Sequence, residues 1–579
     1  MNQRIATIPV DQEVNRKARE RALAASSWPV NLAASSVGYQ SHGHVLAIGD
    51  SRALTALLDR QGDSSSLASL TLVVTDAGHQ ALTTHADLRA HADLRVFVQP
   101  LLGKHPADLH LEGYLGNFRL WLPTPDGPIN LAKALLERDG HDLVIDLCAE
   151  PSLPRELPPP GYFHAPVAGE QRDTLIDGLA DWVGDFEKPR YFQIHNDRCA
   201  HSTRGFEGCT RCLEVCPADA IHSVPGRIGA HIEIDPQLCQ GVGSCSSACP
   251  TGAIEFRQPH SLRQQDTLLA WLDGYHNAGG TSPVVRFVQA DYTDHQQPDA
   301  PHVIDVALED LGAAGADHWL SLIAAGACEV RIVDYPSMPP RLAAHLEDQL
   351  AQARGLLAAL GHSEQRLQRF AASDPLSSDA LPRHAGLPTR LSRLDDDADS
   401  DGDDEQGKRR RLNRVLEHLA LHGEQDGQRH SMPGGSPFGG IDVNSDACTL
   451  CMGCVASCPT DALAAGGDTP RLDFREADCV QCGLCAKSCP ESAITLQPGF
   501  FASSARADWR VCHEDSPFHC ISCGTAFANR GTIEAIQQKL AQHPYFSGDQ
   551  ARRLEMCQDC RVKDVWQEMA TNPEAQLKV

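Results

Sequence analysis

Residues 448–459 read CTLCMGCVASCP, and residues 479–490 read CVQCGLCAKSCP. Each run spaces its thiols as C-x2-C-x2-C-x3-C-P. Two-residue gaps make a tight loop that points three thiolates at one face of a cubane, which is the ligand pattern of a 4Fe–4S cluster. Small residues such as Gly453 and Gly483 let backbone N–H groups approach the sulfurs. Neither chance nor zinc accounts for eight cysteines in this pattern.

The fourth cysteine of each run faces away from its own loop. In two-cluster ferredoxins it ligates the other cluster. Crossed assignment follows: one 4Fe–4S cluster on Cys448, Cys451, Cys454 and Cys489, and a second on Cys479, Cys482, Cys485 and Cys458. An earlier block repeats the design with two departures. In CAHSTRGFEGCTRCLEVCP (199–217) the expected first cysteine falls on Phe206, and Cys199 stands seven residues earlier. The intervening AHSTRGFEG can loop out and return Cys199, giving a 4Fe–4S cluster on Cys199, Cys209, Cys212 and Cys249; in the alternative Cys199 is free. In CQGVGSCSSACP (239–250) Val242 replaces the second cysteine, leaving Cys216, Cys239 and Cys245. Valine offers no lone pair, so three thiolates fit a 3Fe–4S cluster, a cubane lacking its corner iron. A 4Fe–4S cluster with an outside ligand and an empty site are the alternatives. Against an empty site stands the intact SACPTGAI, because the neighbouring cluster still needs Cys249.

Both blocks resemble bacterial-type dicluster ferredoxins, over about 190–258 and 440–497. At whole-chain level the arrangement resembles the large ferredoxin-like proteins associated with formate dehydrogenases, most closely in GDFEKPRYFQIHNDRCAHSTRGFEGCTRCLEVCPADAI (184–221). That resemblance implies electron transfer beside a molybdenum or tungsten formate enzyme. The 284–335 segment is similar to the small iron–sulfur subunit of certain hydrogenases and heterodisulfide reductases, but it keeps none of that family's cysteines except Cys328, so no ligand carries over.

The 579-residue chain has room for about three or four domains. Its net charge of −26 argues against nucleic acid as a partner and leaves a basic protein as the better expectation. No stretch approaches the roughly 20 apolar residues of a membrane span. The first thirty residues carry scattered charges and no apolar core of a secretory signal, so a cytoplasmic location is expected. There, 22 cysteines argue for metal rather than disulfides. Seven lie within 199–249, eight within 448–489 and five within 512–560; Cys148 and Cys328 stand alone beside apolar strands and read as buried small hydrophobes.

The expected fold class is α/β plus α+β: two ferredoxin-like dicluster modules alternating with two cysteine-poor α/β segments, then a small four-cysteine domain. An N-terminal helical or flexible segment (1–43) precedes an α/β domain (44–168), in which HVLAIGD, LTLVVTD, LRVFVQP and DLVIDLC read as strands and SRALTALLDRQ and INLAKALLERDG as helices. The first ferredoxin module spans 169–258 and opens on a helix in TLIDGLADWVGDF. A second α/β segment (259–370) has strands VVRFVQ, HVIDVA and EVRIVD, with helices GADHWLSLIAAG and PPRLAAHLEDQLAQARGLLAAL. Residues 371–439, with LDDDADSDGDDEQGKRRRLNR, read as a charged, flexible linker, with a docking segment as the alternative. The second ferredoxin module spans 440–500, roughly 180 residues after its counterpart.

The C-terminal 501–579 carries HCISCG and MCQDCR. Two C-x-x-C pairs suit one tetrahedral zinc on Cys520, Cys523, Cys557 and Cys560; a further iron–sulfur cluster and a redox dithiol are the alternatives. Cys512, His513 and His519 read as bystanders. GDSRA (49–53) is a strand-to-helix turn able to cradle a phosphate, but it lacks G-x-G-x-x-G. No nucleophile–base constellation appears. The cofactors expected are three 4Fe–4S clusters, one 3Fe–4S cluster and one zinc. The expected function is a non-catalytic electron relay between a redox enzyme, formate dehydrogenase by resemblance, and another carrier. The alternatives are an assembly factor for a metalloenzyme, a flavin- or nucleotide-dependent oxidoreductase subunit, or a redox sensor.

Overall fold

The computed structural model describes residues 12–29, 35–61, 67–89, 94–101, 109–203, 205–257, 260–292, 298–371, 379–392, 394, 407–467, 469–546 and 548–572. Unbroken apolar runs become parallel strands buried on both faces. His44–Gly49 and Ser69–Val74 are buried along their whole length. They form the centre of a five-stranded parallel sheet in the order Arg95–Pro100, Ser69–Val74, His44–Gly49, Leu143–Asp146, Tyr162–His164. A three-stranded antiparallel sheet from His110–Glu112, Arg119–Thr124 and Gly127–Asn130 interrupts the alternation. The sequence reading passed over it because its strands are short and half exposed.

A second parallel sheet runs Val303–Leu308, Val284–Gln289, Glu329–Val333, Leu367–Phe370. Helices Ser261–Asn277, Ala316–Ala324 and Pro340–Ala359 pack with it around Trp319, Tyr275 and Phe287. The same core takes in Val242 from the first cysteine block and Phe438 and Phe500 from either side of the second. The insertion is therefore wedged between the cysteine modules rather than looped away from them.

Three expectations are corrected. The helix expected in TLIDGLADWVGDF ends early: Glu170–Asp177 passes into a 3₁₀ turn, Gly178–Trp182, and Gly184–Pro189 is a strand paired with Ser36–Ser41. The boundary at 501 is also crossed, since Arg510–Glu514 adds a third strand beside Arg471–Phe474 of the second module. Finally, the basic half of the expected linker is the helix Gly407–Leu421; the acidic residues 395–405 lie outside the described residues. Val415, Leu416 and Leu419 give this helix an apolar face in the large core. Two of its arginines, Arg409 and Arg411, are buried. Arg409 donates from Nε to Ala477 O (2.9 Å) and from Nη2 to Cys479 O (2.8 Å), and its guanidinium stacks over Phe438 at 4.7 Å. Arg411 pairs with Asp266 at 2.8 Å.

Truncating Arg409 would strip the Cys479 carbonyl of its buried donor and leave that of Ala477 with Asn413 alone. Arg409→Ala should destabilise the chain by about 2–5 kcal/mol, because a buried charged hydrogen bond lost from one side leaves unpaired groups. Thermal unfolding of the variant against the parent checks this; an unchanged midpoint would show that water replaces the arginine.

Candidate iron–sulfur centres

The two cysteine blocks fold alike. In the first, Phe192–Ile194 pairs with Ile254–Phe256 and Ile221–Pro225 with Ala230–Ile234. In the second, Gly439–Val443 pairs with Ile494–Pro498 and Leu463–Ala465 with Arg471–Phe474. One-turn helices Arg211–Glu214, Ser244–Ala248, Gly453–Ala456 and Leu484–Lys487 carry the interior cysteines of the loops.

Backbone conformation marks the loops independently of the sulfurs. Eight non-glycine residues among those described have positive φ, and six of them lie in these blocks: Asp219, Leu450, Met452, Asp461, Gln481 and Ser492. Left-handed residues recur two and four positions after the leading cysteine: Leu450 and Met452, Gln481 and Gly483, and Gly241 and Gly243. Another stands three positions after each Cys-Pro cysteine, at Asp219, Gly252, Asp461 and Ser492. Such conformations are costly outside glycine and persist where the surroundings demand them. The loop around Val242 keeps the same two bends as its intact counterparts, although its own second cysteine is gone.

Mutual charge interactions sort the thiols into four sets, most of them within the cores of the two modules. The charge environment of Cys212 is shared with Cys249, Cys209 and Cys199, and that of Cys454 with Cys448, Cys451 and Cys489. Cys485 shares its surroundings with Cys479, Cys482 and Cys458. Cys245 shares its charge environment with Cys239 and Cys216, and to a smaller extent with Cys212 and Cys249. A two-residue hairpin, Ser202–Thr203 against Phe206–Glu207, returns the chain from Cys199 to Cys209.

Burial pushes Cys199 up to about 11, and Cys239, Cys454 and Cys482 up to about 12. Neutral thiols crowded in a dry pocket gain little from one another. Cationic iron would ionise them and supply the missing countercharge. Donors already face the sulfurs: Ala220 N to Cys216 Sγ at 3.4 Å, Ala493 N to Cys489 Sγ at 3.3 Å, and Gln481 Nε2 to Cys479 Sγ at 3.3 Å. Lys188 donates to the carbonyls of Gln237 (2.8 Å) and Cys239 (2.6 Å), and burial brings its ammonium down to about 8. The donor set, the bends and the N–H···S contacts fit iron–sulfur clusters.

The fifth group is tighter. The sulfurs of Cys520, Cys523, Cys557 and Cys560 all lie within 4.8 Å of one another, with Cys523 and Cys557 3.7 Å apart. Four thiolates at the usual 2.3 Å from one tetrahedral ion stand about 3.8 Å from each other, so this site could hold a single metal. Burial opposes ionisation of Cys520, but N–H donors at Cys557, Cys523 and Ser522 outweigh it and bring that thiol down to about 6. Cys512 sits outside the group, half-buried against the second module, and His519 Nδ1 lies 3.0 Å from Gly524 O. Cys148 and Cys328 are buried, and burial raises both thiols, to about 12 and 11.

The phosphate cradle is already filled. At the start of helix Ser51–Gln61, the Asp76 carboxylate accepts from Ser51 N (3.2 Å), Ser51 Oγ (2.8 Å) and Gly78 N (3.1 Å). An anion of the chain's own thus occupies the position a phosphate would take.

Arg211 and Arg409 were missed by the sequence reading. For Arg211 a signal existed, since the Cys209–Cys212 gap holds Thr-Arg where the matching gaps hold Met-Gly and Gly-Leu.

These features define an iron–sulfur dicluster module, present twice in one chain. A family model described as a 4Fe-4S dicluster domain matches residues 207–253 and 447–493. No curated protein matches the chain. The two domains point to an iron–sulfur electron-transfer role. Among the described residues, no helix is long and apolar enough to cross a membrane.

Proposed function

We propose that this protein is a four-cluster electron relay acting in the cytoplasm, with 4Fe–4S clusters on Cys199/Cys209/Cys212/Cys249, Cys458/Cys479/Cys482/Cys485 and Cys448/Cys451/Cys454/Cys489, and a 3Fe–4S cluster on Cys216/Cys239/Cys245. Bound clusters supply one-electron chemistry at potentials tuned by hydrogen bonds to sulfur and by burial. The observation that carries the reading is the approach of the modules: Arg211 of the first donates to Val480 O of the second (3.4 Å), and the backbone at Gly208 lies against Leu484. Charge interactions of Cys482 with Cys209, of Cys245 with Cys212 and Cys249, and of Cys485 with Cys454 support an unbranched order from Cys239 to Cys451. Cys451 is the one exposed cysteine among those fifteen ligands, which suits an exit to a carrier.

The C-terminal thiols hold a structural zinc on this reading. A molybdenum or tungsten formate enzyme is the proposed partner, resting on the resemblance of 184–221. Metal analysis with EPR on anaerobically purified protein tests the relay: about fifteen irons with matching sulfide, one zinc, and an oxidised-state 3Fe signal are expected. Protein without inorganic sulfide would refute it.

The 3Fe assignment has its own test. Val242 is 7% exposed and packs into the second α/β core. A thiol of similar bulk is tolerated in such a place. Val242→Cys should replace the 3Fe signal with that of a 4Fe cluster and add about one iron per chain. An unchanged spectrum would show that the position faces away from the cluster.

A further inference from the structure

One guanidinium spans the junction between the modules. Arg211 donates from Nη1 to Cys209 Sγ (3.3 Å), from Nη2 to Val480 O (3.4 Å) and from Nε to Gly435 O (2.9 Å). Cys209 is a ligand of the first module, and Val480 lies between Cys479 and Cys482 in the second. The same seam is closed by two other contacts. A Cβ on Gly208 would stand 2.8 Å from Leu484 Cγ, so the backbone there approaches the second module as only glycine permits. Lys487 donates to Glu207 O.

Arginine is suited to this position, because its rigid fork fixes several acceptors at once, whereas lysine presents a flexible point charge. A charged donor on a ligand sulfur favours the more negative, reduced state of a cluster, and sulfur hydrogen bonds are among the determinants of its potential. We propose that Arg211 is a positioning residue that raises the reduction potential of the Cys199/Cys209/Cys212/Cys249 centre and fixes that centre against the Cys479–Cys482 loop. The proposal rests on the relay reading and adds the residue that governs its middle step.

The test is potentiometric EPR on the full-length, cluster-loaded protein. In Arg211→Leu, with iron and sulfide unchanged, one 4Fe–4S centre should become harder to reduce. At a fixed potential its reduced-to-oxidised ratio should fall about tenfold, equivalent to 59 mV for one electron. Arg211→Lys should recover part of that shift. Lys487→Met removes a strut but no sulfur contact and should leave every midpoint in place. Should Arg211→Leu lose iron, Arg211→Gln provides the same neutral comparison. Loaded clusters with all midpoints at parental values in the neutral variant would overturn the proposal while leaving the relay standing. Absence of sulfide from the parent would instead overturn the relay.

Discussion

Replacing Cys489 with alanine should strip or convert the cluster held by Cys448, Cys451 and Cys454, and leave the one beside Cys489 in sequence intact. Cys489 follows Cys485 by four residues, yet its sulfur shares surroundings with Cys454 and Cys448. The three thiols just before it, Cys479, Cys482 and Cys485, lie instead with Cys458. Between Cys485 and Cys489 lies the end of the one-turn helix Leu484–Lys487, after which Cys489 departs from its own loop. Loss of one ligand should remove between about one and four irons per chain, according to whether a 3Fe core survives. The check is iron analysis with EPR on three single variants: Cys489→Ala and Cys448→Ala should lose the same signal, and Cys482→Ala a different one. If Cys489→Ala matched Cys482→Ala, the crossed arrangement would be wrong.

Removal of metal from the C-terminal thiols should unfold that unit while the neighbouring clusters persist. The helix Gln558–Thr571 buries no residue, and Trp566 and Val562 are exposed. Besides the four sulfurs, it is tied down chiefly by Arg553, which pairs with Asp564 (2.7 Å) and Glu568. Arg553 is itself buried, so the cost of taking its guanidinium out of water offsets much of what these pairs contribute. Metal binding to four thiolates contributes about 10–16 kcal/mol in small zinc domains, far more than the apolar contacts here can supply. Cys557→Ala, or a strong zinc chelator on the parent, should therefore open residues 517–572 to limited proteolysis and fast amide exchange. The second module, whose core includes Ile441, Leu472 and Phe474, should retain its protection. Equal protection with and without metal would mean the unit folds on packing alone.

What could be read in advance follows from where the physics is local. Cluster ligands must be close in sequence to form one loop, so C-x2-C-x2-C announces itself. Parallel strands such as His44–Gly49 are also plain, because burial on both faces makes a nearly continuous apolar run. The basic stretch 407–414 misled because charge was taken as a sign of solvent. Arg409 instead spends its donors on the carbonyls of Ala477 and Cys479, some seventy residues away, and nothing nearby in the chain reports that contact. The bridge at Arg211 was half visible: a cation stood in an x2 gap, but its acceptor, Val480, lies 269 residues on.

The shared core of Val242, Trp319, Phe438 and Phe500 makes the chain indivisible in a way its repeat conceals. The sequence looks like two independent ferredoxins joined by a spacer, yet a cut at the acidic stretch would take Val415, Leu416, Leu419, Phe438, Phe500 and Ala502 out of that interior and lay both surfaces open to water. Each repeated module thus helps to close an interior that the other also needs, so neither is a free-standing unit of this chain.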